Sequence, residues 1–180
     1  MNKELINIGL MGFGNIGTGT YTTLEMNRDL IRTKTGIDFE ITKILEKDVD
    51  RKRDIVVSKD KFTQDPDDLF LDPDIDIVVE LLGGIQPATD LMLQAMDCGK
   101  HVVTANKAAV AANYDILREA AEKNKIMFRY EASVGGGIPI LNALTTALRA
   151  NSFIEILGIL NGTTNYILSQ MTDFGLEYED

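Results

Sequence analysis

Three glycines near the N-terminus constrain the fold of this chain more than any other feature. Gly12, Gly14 and Gly17 form a G-x-G-x-x-G pattern directly after the apolar segment 5–11, and a long helix-compatible segment follows them. In such a strand-turn-helix unit, the first glycine permits a tight turn, the second lets the backbone approach a pyrophosphate, and the third lets the helix pack against the sheet. The first turn of the helix offers unpaired N–H groups and the positive end of the helix dipole to a diphosphate. The pattern therefore predicts a dinucleotide-binding βαβ unit.

Strands and helices are predicted to alternate along the first 130 residues. The predicted strands cover 5–11, 37–46, 75–82, 101–104 and 126–130, with a short strand or extended segment at 55–63. The predicted helices cover 15–34, 65–70, 87–98 and 113–125. This alternation is typical of an α/β fold with a doubly wound, Rossmann-type parallel sheet, in which ligands bind outside the carboxyl ends of the strands.

The pattern changes after residue 130, where three consecutive glycines interrupt the alternation. The elements predicted beyond them are a helix at 139–150, a strand at 153–160 and a helix at 164–174. We expect a dinucleotide-binding domain at 1–130 and, at 131–180, the beginning of a second, α+β domain. We expect this second part to be too short to close on itself.

The composition argues against some classes of partner. The net charge is −10 and no basic cluster is visible, which disfavours nucleic acid and anionic membranes. No segment approaches the roughly 18 apolar residues of a membrane span. The single cysteine, Cys98, excludes an intramolecular disulfide and lies in an apolar helical pattern, where we expect it to be buried. The expected compartment is a reducing cytoplasm.

A charged segment follows the second predicted strand, at the position that faces the adenosine ribose in this fold. Glu46 is suited to bind the 2′-hydroxyl of NAD, whereas Lys47, Lys52 and Arg53 are suited to bind the 2′-phosphate of NADP. The alternative is a solvated run of charges without a ligand. The choice between NAD and NADP therefore stays open at this point.

Two further strand ends carry candidate residues. Gly83 and Gly84 follow one predicted strand, where they either border a nicotinamide or form a plain turn. Lys107 follows the next strand, where burial would make it a usable proton acceptor. The alternative is an exposed lysine in the first turn of the next helix. His101, the only histidine, lies at the opposite end of its strand, and we expect it to be structural.

Four motifs in matching order resemble those of homoserine dehydrogenase, over essentially all 180 residues. They are Gly12–Gly17, Val103–Lys107, Tyr130–Val134 with Gly136–Pro139, and Gly158–Tyr166. The resemblance implies oxidation of L-homoserine to L-aspartate 4-semialdehyde with NAD or NADP, or the reverse reduction. This reaction belongs to the aspartate pathway, which leads to threonine and methionine.

The resemblance also implies roles for individual residues. Lys107 matches the family lysine beside the nicotinamide and the substrate, and it is the candidate catalytic residue. Glu131 and the carbonyls of Val134, Gly136 and Ile138 match a site for a monovalent cation such as sodium. The candidate cofactor-binding residues are Gly12, Phe13, Gly14, Asn15, Ile16, Gly17, Lys47, Gly84, Thr104 and Lys107.

The sequence departs from the family pattern at two positions. Gly135 stands where the family commonly has alanine, which loosens the loop without removing its carbonyl. Glu46 precedes Lys47, where many members have an apolar residue before the cation, so a competing acid is added.

The resemblance implies that a downstream segment supplies an acidic homoserine-binding group and the lysine usually assigned to proton transfer. Neither lies within these 180 residues, so we expect no turnover by the chain alone. The resemblance further implies that 131–180 is part of a substrate and dimerisation domain, through which a homodimer or a higher homo-oligomer forms. The alternative functions are an NAD(P)-binding module without activity and another Rossmann-type amino-acid dehydrogenase.

Overall fold

The apolar segment that precedes the three glycines forms a central strand of a parallel sheet. The computed structural model describes residues 4–159 and 161–179, and six strands form one sheet in this part of the chain. They are β1 (Leu5–Met11), β2 (Asp38–Leu45), β3 (Phe62–Thr63), β4 (Ile75–Glu80), β5 (His101–Thr104) and β6 (Phe128–Arg129). The strands pair in the order β3-β2-β1-β4-β5-β6, and every pair is parallel.

Helices connect the strands, and further helices come after the last strand in the chain. They are α1 (Asn15–Met26), α2 (Arg28–Thr35), α3 (Asp67–Phe70), α4 (Ala88–Asp97), α5 (Lys107–Asn124), α6 (Ile140–Asn142) and α7 (Gly162–Phe174). Short 3-10 turns cover Lys59–Lys61 and Glu131–Ser133, and a π-helical turn covers Ala143–Ala147. None of the helices in the described residues has the length and apolar character that crossing a membrane requires.

Alternation along the strands places a separate apolar core on each face of the sheet. Leu10 packs into one core, together with Tyr21 of α1. Its neighbour Met11 packs into the other core, together with Met92 of α4 and Leu117 of α5. Successive side chains of a strand point to opposite faces, so helices cover both sides of this sheet. The predicted α/β, doubly wound Rossmann-type fold is therefore confirmed.

Two glycines of the G-x-G-x-x-G pattern are required by the backbone. Gly12 has a φ of +100°, a conformation that side chains disfavour. A Cβ atom on Gly17 would lie 2.3 Å from the carbonyl oxygen of Gly12, because α1 packs directly against the end of β1. The two roles that the sequence predicts for these glycines are therefore observed.

The helix predicted at 15–34 is two helices. Asn27 leaves helical geometry, with φ −105° and ψ 11°, and its side-chain amide donates to the carbonyl of Thr23 at 2.8 Å. Asparagine competes in this way with the helical backbone bonds. The second helix, α2, is held against β2 by Arg28, which forms an ion pair with Asp38 at 3.1 Å and lies over the ring of Phe39.

The helix predicted at 113–125 begins earlier, at Lys107. The side chain of Asn106 accepts a hydrogen bond from the backbone N–H of Ala109 at 3.0 Å, which is the geometry of an N-cap. Asn113, the first residue of the predicted helix, lies at a kink inside α5, and its amide donates to the hydroxyl of Thr89.

The chain divides into two compact units, Met1–Ser133 and Val134–Asp180. In the second unit, α6 continues directly into the π-helical turn, so the helix predicted at 139–150 is shorter and irregular. Asn161 caps α7 by accepting from the N–H of Thr164 at 2.8 Å, and Gly175 ends it with a φ of +67°.

The strand predicted at 153–160 is wrong for the residues that the structure describes. Residues 153–159 form no strand, and Leu160 lies outside the described residues. Phe153, Ile154 and Leu157 are exposed. A strand needs a neighbour for its backbone N–H and C=O groups, and none of the described strands pairs with this segment.

Cys98 is exposed, so its predicted burial is wrong. The apolar face of α4 ends with Ala95 and Met96, and the backbone leaves helical geometry at Cys98 before Gly99 turns the chain towards β5.

We predict opposite effects for two glycine-to-alanine substitutions in α1. Gly17→Ala should lower the free energy of unfolding by about 2 kcal/mol or more, because the added methyl group meets the Gly12 carbonyl. Gly19→Ala is the matched control, since a Cβ there has no neighbour within 4 Å, and it should be neutral or stabilising by up to about 1 kcal/mol. Urea unfolding followed by circular dichroism measures both, and equal stabilities of the two variants would contradict the close packing of α1.

Candidate functional site

A cleft of about 530 Å³ opens at the carboxyl ends of β1, β2 and β4. From β1 the sheet continues to β2 on one side and to β4 on the other, so the cleft lies at the topological switch point of the sheet. Its walls are residues 12–14 after β1, 45–47 at the end of β2 and 81–83 after β4, together with Arg51, Gln64, Pro66, Pro87 and Leu91.

The glycine turn presents backbone rather than side chains to the cleft. Gly14 precedes α1 as its N-cap, has no side chain to occupy the first-turn N–H groups, and leaves open space where a Cβ would lie. Asn15 and Ile16, the first residues of α1, are exposed. An uncapped helix N-terminus facing a cleft is suited to bind an anion.

Phe13 contributes its backbone to the cleft, while its ring belongs to the core. The ring is buried and packs edge-on against Tyr21 and Phe62, at centroid distances of 5.7 and 5.4 Å. The backbone N–H of Phe13 donates to a carboxylate oxygen of Glu46 at 2.9 Å. This bond joins the glycine turn to the end of β2.

Glu46, in the cleft wall, forms a partly buried ion pair with Arg53, which does not line the cleft. The guanidinium Nη2 of Arg53 lies 3.6 Å from the carboxylate of Glu46, and the Arg53 side chain is only 9% exposed. Arg53 also donates to the backbone carbonyls of Asp48 and Arg51, each at 2.9 Å, and lies over the ring of Phe13. The carboxylate of Glu46 is therefore engaged within the protein, and Arg53 ties the 48–53 loop to the glycine turn.

Lys47 and Arg51 are the basic side chains that line the cleft, and both are exposed. Neither side chain has a hydrogen-bond or ion-pair partner among residues 4–159 and 161–179. Lys52 is also exposed but does not line the cleft. Of the three basic residues predicted to bind a 2′-phosphate, Lys47 therefore lines the cleft, Lys52 is exposed outside it, and Arg53 is paired with Glu46.

A buried polar network lies at the carboxyl ends of β4 and β5. Glu80, Thr104 and Asn106 are all buried. The carboxylate of Glu80 accepts from the hydroxyl of Thr104, from the backbone N–H of Leu82 at 2.8 Å and from the side-chain amide of Asn106 at 3.4 Å. The same amide donates to the carbonyl of Gly84 at 2.6 Å. The hydroxyl of Thr104 therefore faces the protein interior.

Lys107 is exposed in the first turn of α5, directly after the capping residue Asn106. It stands at the same edge of the sheet as the glycine turn, because β1, β4 and β5 are parallel. His101 lies at the opposite end of β5, where its Nδ1 accepts from the backbone N–H of Met127 at 3.0 Å. This structural role agrees with the sequence prediction.

The residues predicted to bind sodium lie on either side of the division between the two units. Glu131 begins the 3-10 turn that ends the first unit, whereas Val134, Gly136 and Ile138 belong to the second. The carbonyl of Ile138 accepts from the N–H of Ile140 at 2.9 Å. Among the described residues, no cluster of three histidine, cysteine, aspartate or glutamate side chains is placed to bind a metal ion.

Tyr130, which directly precedes Glu131, is paired with Tyr114. The hydroxyl of Tyr130 donates to that of Tyr114 at 3.1 Å, and the ring centroids are 5.4 Å apart. Burial, with smaller contributions from Tyr114 and from the charge of Glu131, raises the pKa of Tyr130 to about 12. Tyr130 therefore stays a neutral phenol at physiological pH.

Comparison with known families decides the relationship of this chain to other proteins. Residues 12–131 match the family model "Homoserine dehydrogenase, NAD binding domain", and residues 139–180 match "Homoserine dehydrogenase". The chain belongs to the homoserine dehydrogenase family. The first unit, with its glycine turn and cleft, corresponds to the NAD-binding domain of that family.

Individual homoserine dehydrogenases are similar over nearly the whole of this chain. Those of Synechocystis sp. and Bacillus subtilis are 41% and 37% identical, over 97% and 98% of the chain. The crystal structure of a homoserine dehydrogenase from Thiobacillus denitrificans superposes with a TM-score of 0.87 at 40% identity, over 98% of this chain and 41% of that one. The chain spans 40% and 41% of the length of the first two relatives.

Glu80 and Asn106 were not among the predicted site residues, whereas Thr104 and Gly84, which belong to the same network, were. Two sequence signals point to this network. Glu80 is an acid that follows the β-branched run 77–79 of a strand buried on both faces, and Asn106 stands where a cap precedes a helical pattern. The partners of Glu46 and Arg53 carry no such signal, because they depend on how a loop folds back on the sheet.

Proposed function

We propose that this chain is the NAD(P)-binding part of an enzyme that interconverts L-homoserine and L-aspartate 4-semialdehyde by hydride transfer. The observation that carries the proposal is the uncapped N-terminus of α1, which opens into a cleft at the topological switch point of the sheet. The family match supports the same assignment. Since the chain spans about 40% of its relatives, we expect it to bind the nucleotide without turnover.

The cofactor pyrophosphate is proposed to bind over Gly14, at the first-turn N–H groups of Asn15 and Ile16. These groups have no side-chain cap, and no Cβ at Gly14 blocks the approach. Gly12 and Gly17 contribute indirectly, because they allow α1 to start close to the end of β1.

We propose that NADP(H) is preferred over NAD(H). An acid at the end of β2 usually binds the ribose 2′-hydroxyl of NAD and repels a 2′-phosphate. Here the carboxylate of Glu46 is bound to the N–H of Phe13 and paired with Arg53, so it is partly neutralised and turned inward. Lys47 and Arg51 remain in the cleft to bind the 2′-phosphate.

Titration of the chain with NADPH and NADH, followed by nucleotide fluorescence, tests this preference. We expect tighter binding of NADPH, and we expect Lys47→Ala or Arg51→Ala to weaken NADPH binding about tenfold while changing NADH binding little. Lys52→Ala removes the same charge outside the cleft and serves as the control, with both affinities unchanged. Tighter binding of NADH, or equal effects of all three variants, would contradict the proposed NADP(H) preference.

Lys107 is proposed to act at the nicotinamide end of the cleft, together with the loop that contains Gly84. When bound, the nicotinamide accepts or donates the hydride. The backbone of Lys107 is fixed at the start of α5, and its exposed ammonium is proposed to bind the substrate oxygen and assist movement of its proton. Thr104 is proposed to support the cofactor site indirectly, because its hydroxyl is bound to Glu80.

The role of Lys107 is tested in a complete enzyme that contains this chain. Lys107→Ala should lower kcat for homoserine oxidation by about a hundredfold or more, with little loss of thermal stability, because the side chain is exposed. Lys123→Ala, in the last turn of the same helix, is the matched control and should leave kcat unchanged. Unchanged turnover of Lys107→Ala would remove this lysine from the mechanism.

We also propose that the chain binds a monovalent cation such as sodium, with Glu131 as a ligand. Hard oxygen donors such as a carboxylate suit this ion. Thermal unfolding in NaCl and in choline chloride at equal ionic strength tests this proposal. We expect a higher Tm in NaCl that Glu131→Gln abolishes, whereas equal Tm values in the two salts would contradict it.

A homodimer formed through the second unit and a cytoplasmic location complete the proposal. The second unit exposes several large apolar side chains, including Phe153, Ile154 and Leu157. Exposed apolar groups of this kind mark contact surfaces, and the molar mass of the protein in solution tests the dimer. The free, exposed thiol of Cys98 fits a reducing compartment.

A further inference from the structure

The carboxylate of Glu80 is fully buried, and its hydrogen-bond partners are neutral. It accepts from the hydroxyl of Thr104, the backbone N–H of Leu82 and the amide of Asn106. No lysine or arginine of the described residues forms an ion pair with it. Burying a carboxylate without a cation is costly, and three directed donors offset that cost.

The three donors come from two different segments of the cleft region. Leu82 belongs to the loop after β4 and lines the cleft, whereas Thr104 ends β5 and Asn106 caps α5. Asn106 strengthens the connection, because its amide also donates to the carbonyl of Gly84 and its backbone N–H donates to the hydroxyl of Thr104 at 2.9 Å. A single carboxylate therefore joins the 81–84 loop to the start of the helix that carries Lys107.

We propose that Glu80 is a positioning residue for the nicotinamide end of the cofactor. It acts through Leu82, Thr104 and Asn106, which set the position of the cleft wall and of Lys107. This inference rests on the proposed function, because it takes the 81–84 loop and Lys107 as the nicotinamide end of the site.

The hydrogen bonds require an acid at this position rather than an amide of the same shape. One carboxylate oxygen accepts from Leu82 and Asn106, and the other accepts from Thr104. Glutamine has one acceptor oxygen and one NH₂ donor. In Glu80→Gln, either the hydroxyl of Thr104 loses its acceptor or an NH₂ group faces the donors of Leu82 and Asn106.

The experiment compares two nucleotides that differ at the nicotinamide end. NADPH carries the nicotinamide, whereas 2′-phospho-ADP-ribose keeps the adenosine, the 2′-phosphate and the pyrophosphate but lacks it. Calorimetric titration of the 180-residue chain with both measures how strongly the nicotinamide end is held. We expect Glu80→Gln to weaken NADPH binding about tenfold and to change 2′-phospho-ADP-ribose binding by less than about twofold.

Lys100→Met is the control: it should lower the stability of the fold without moving the 81–84 loop or Lys107. Lys100 is also buried and hydrogen-bonded, and its ammonium donates to the carbonyls of Asp72 and Ile75 at the opposite end of the sheet. This variant should unfold at lower urea concentration, with both nucleotide affinities unchanged. Asn106→Ser is the second test variant, because serine retains a cap for α5 but loses the amide donor to Gly84, and it should reproduce the selective loss of NADPH binding.

The outcomes separate this inference from the proposal on which it rests. Equal weakening of both nucleotides in Glu80→Gln and Asn106→Ser, or no weakening, would overturn the positioning role while leaving nucleotide binding intact. Equal affinities of the unsubstituted chain for both nucleotides would also overturn it, because the wall would then hold no nicotinamide. If the unsubstituted chain bound neither nucleotide, the proposed function would fail and this inference with it. Should Glu80→Gln not fold, Asn106→Ser decides the question.

Discussion

The close approach of α1 to the end of β1 is the contact on which the rest of the site depends. Gly17 lies against the carbonyl of Gly12, and this leaves no room for a side chain. The contact fixes where α1 begins, and hence where its unpaired N–H groups point. The other walls of the cleft follow β2 and β4, which pair with β1 on its two sides.

Two acids hold the two halves of the cleft in different ways. Glu46 binds the backbone of the glycine turn and is paired with Arg53, so it connects β2 to β1 beside the proposed adenosine end. Glu80 is bound by neutral donors and connects β4 to β5 and α5 beside the proposed nicotinamide end. Neither carboxylate faces the cleft as a free charge, so the exposed charges of the cleft wall are the cations Lys47 and Arg51.

The fold could be predicted from local signals, whereas the partners of the site residues could not. The strands at 5–11 and 101–104 were predicted correctly, because an apolar run is a signal carried by a few neighbouring residues. The break at Asn27 and the early start of α5 were missed, since each depends on one side chain bonding to backbone. The strand predicted at 153–160 failed on its described residues because strand pairing is set by distant segments.

The most direct test of cofactor binding at this cleft is a crystal structure of the chain grown with NADPH. We predict the pyrophosphate at the first turn of α1, over Gly14, and the 2′-phosphate between the side chains of Lys47 and Arg51. We also expect the Glu46–Arg53 pair to stay closed. A nucleotide bound outside the cleft, or a Glu46 carboxylate swung out to bind the ribose, would contradict this binding mode.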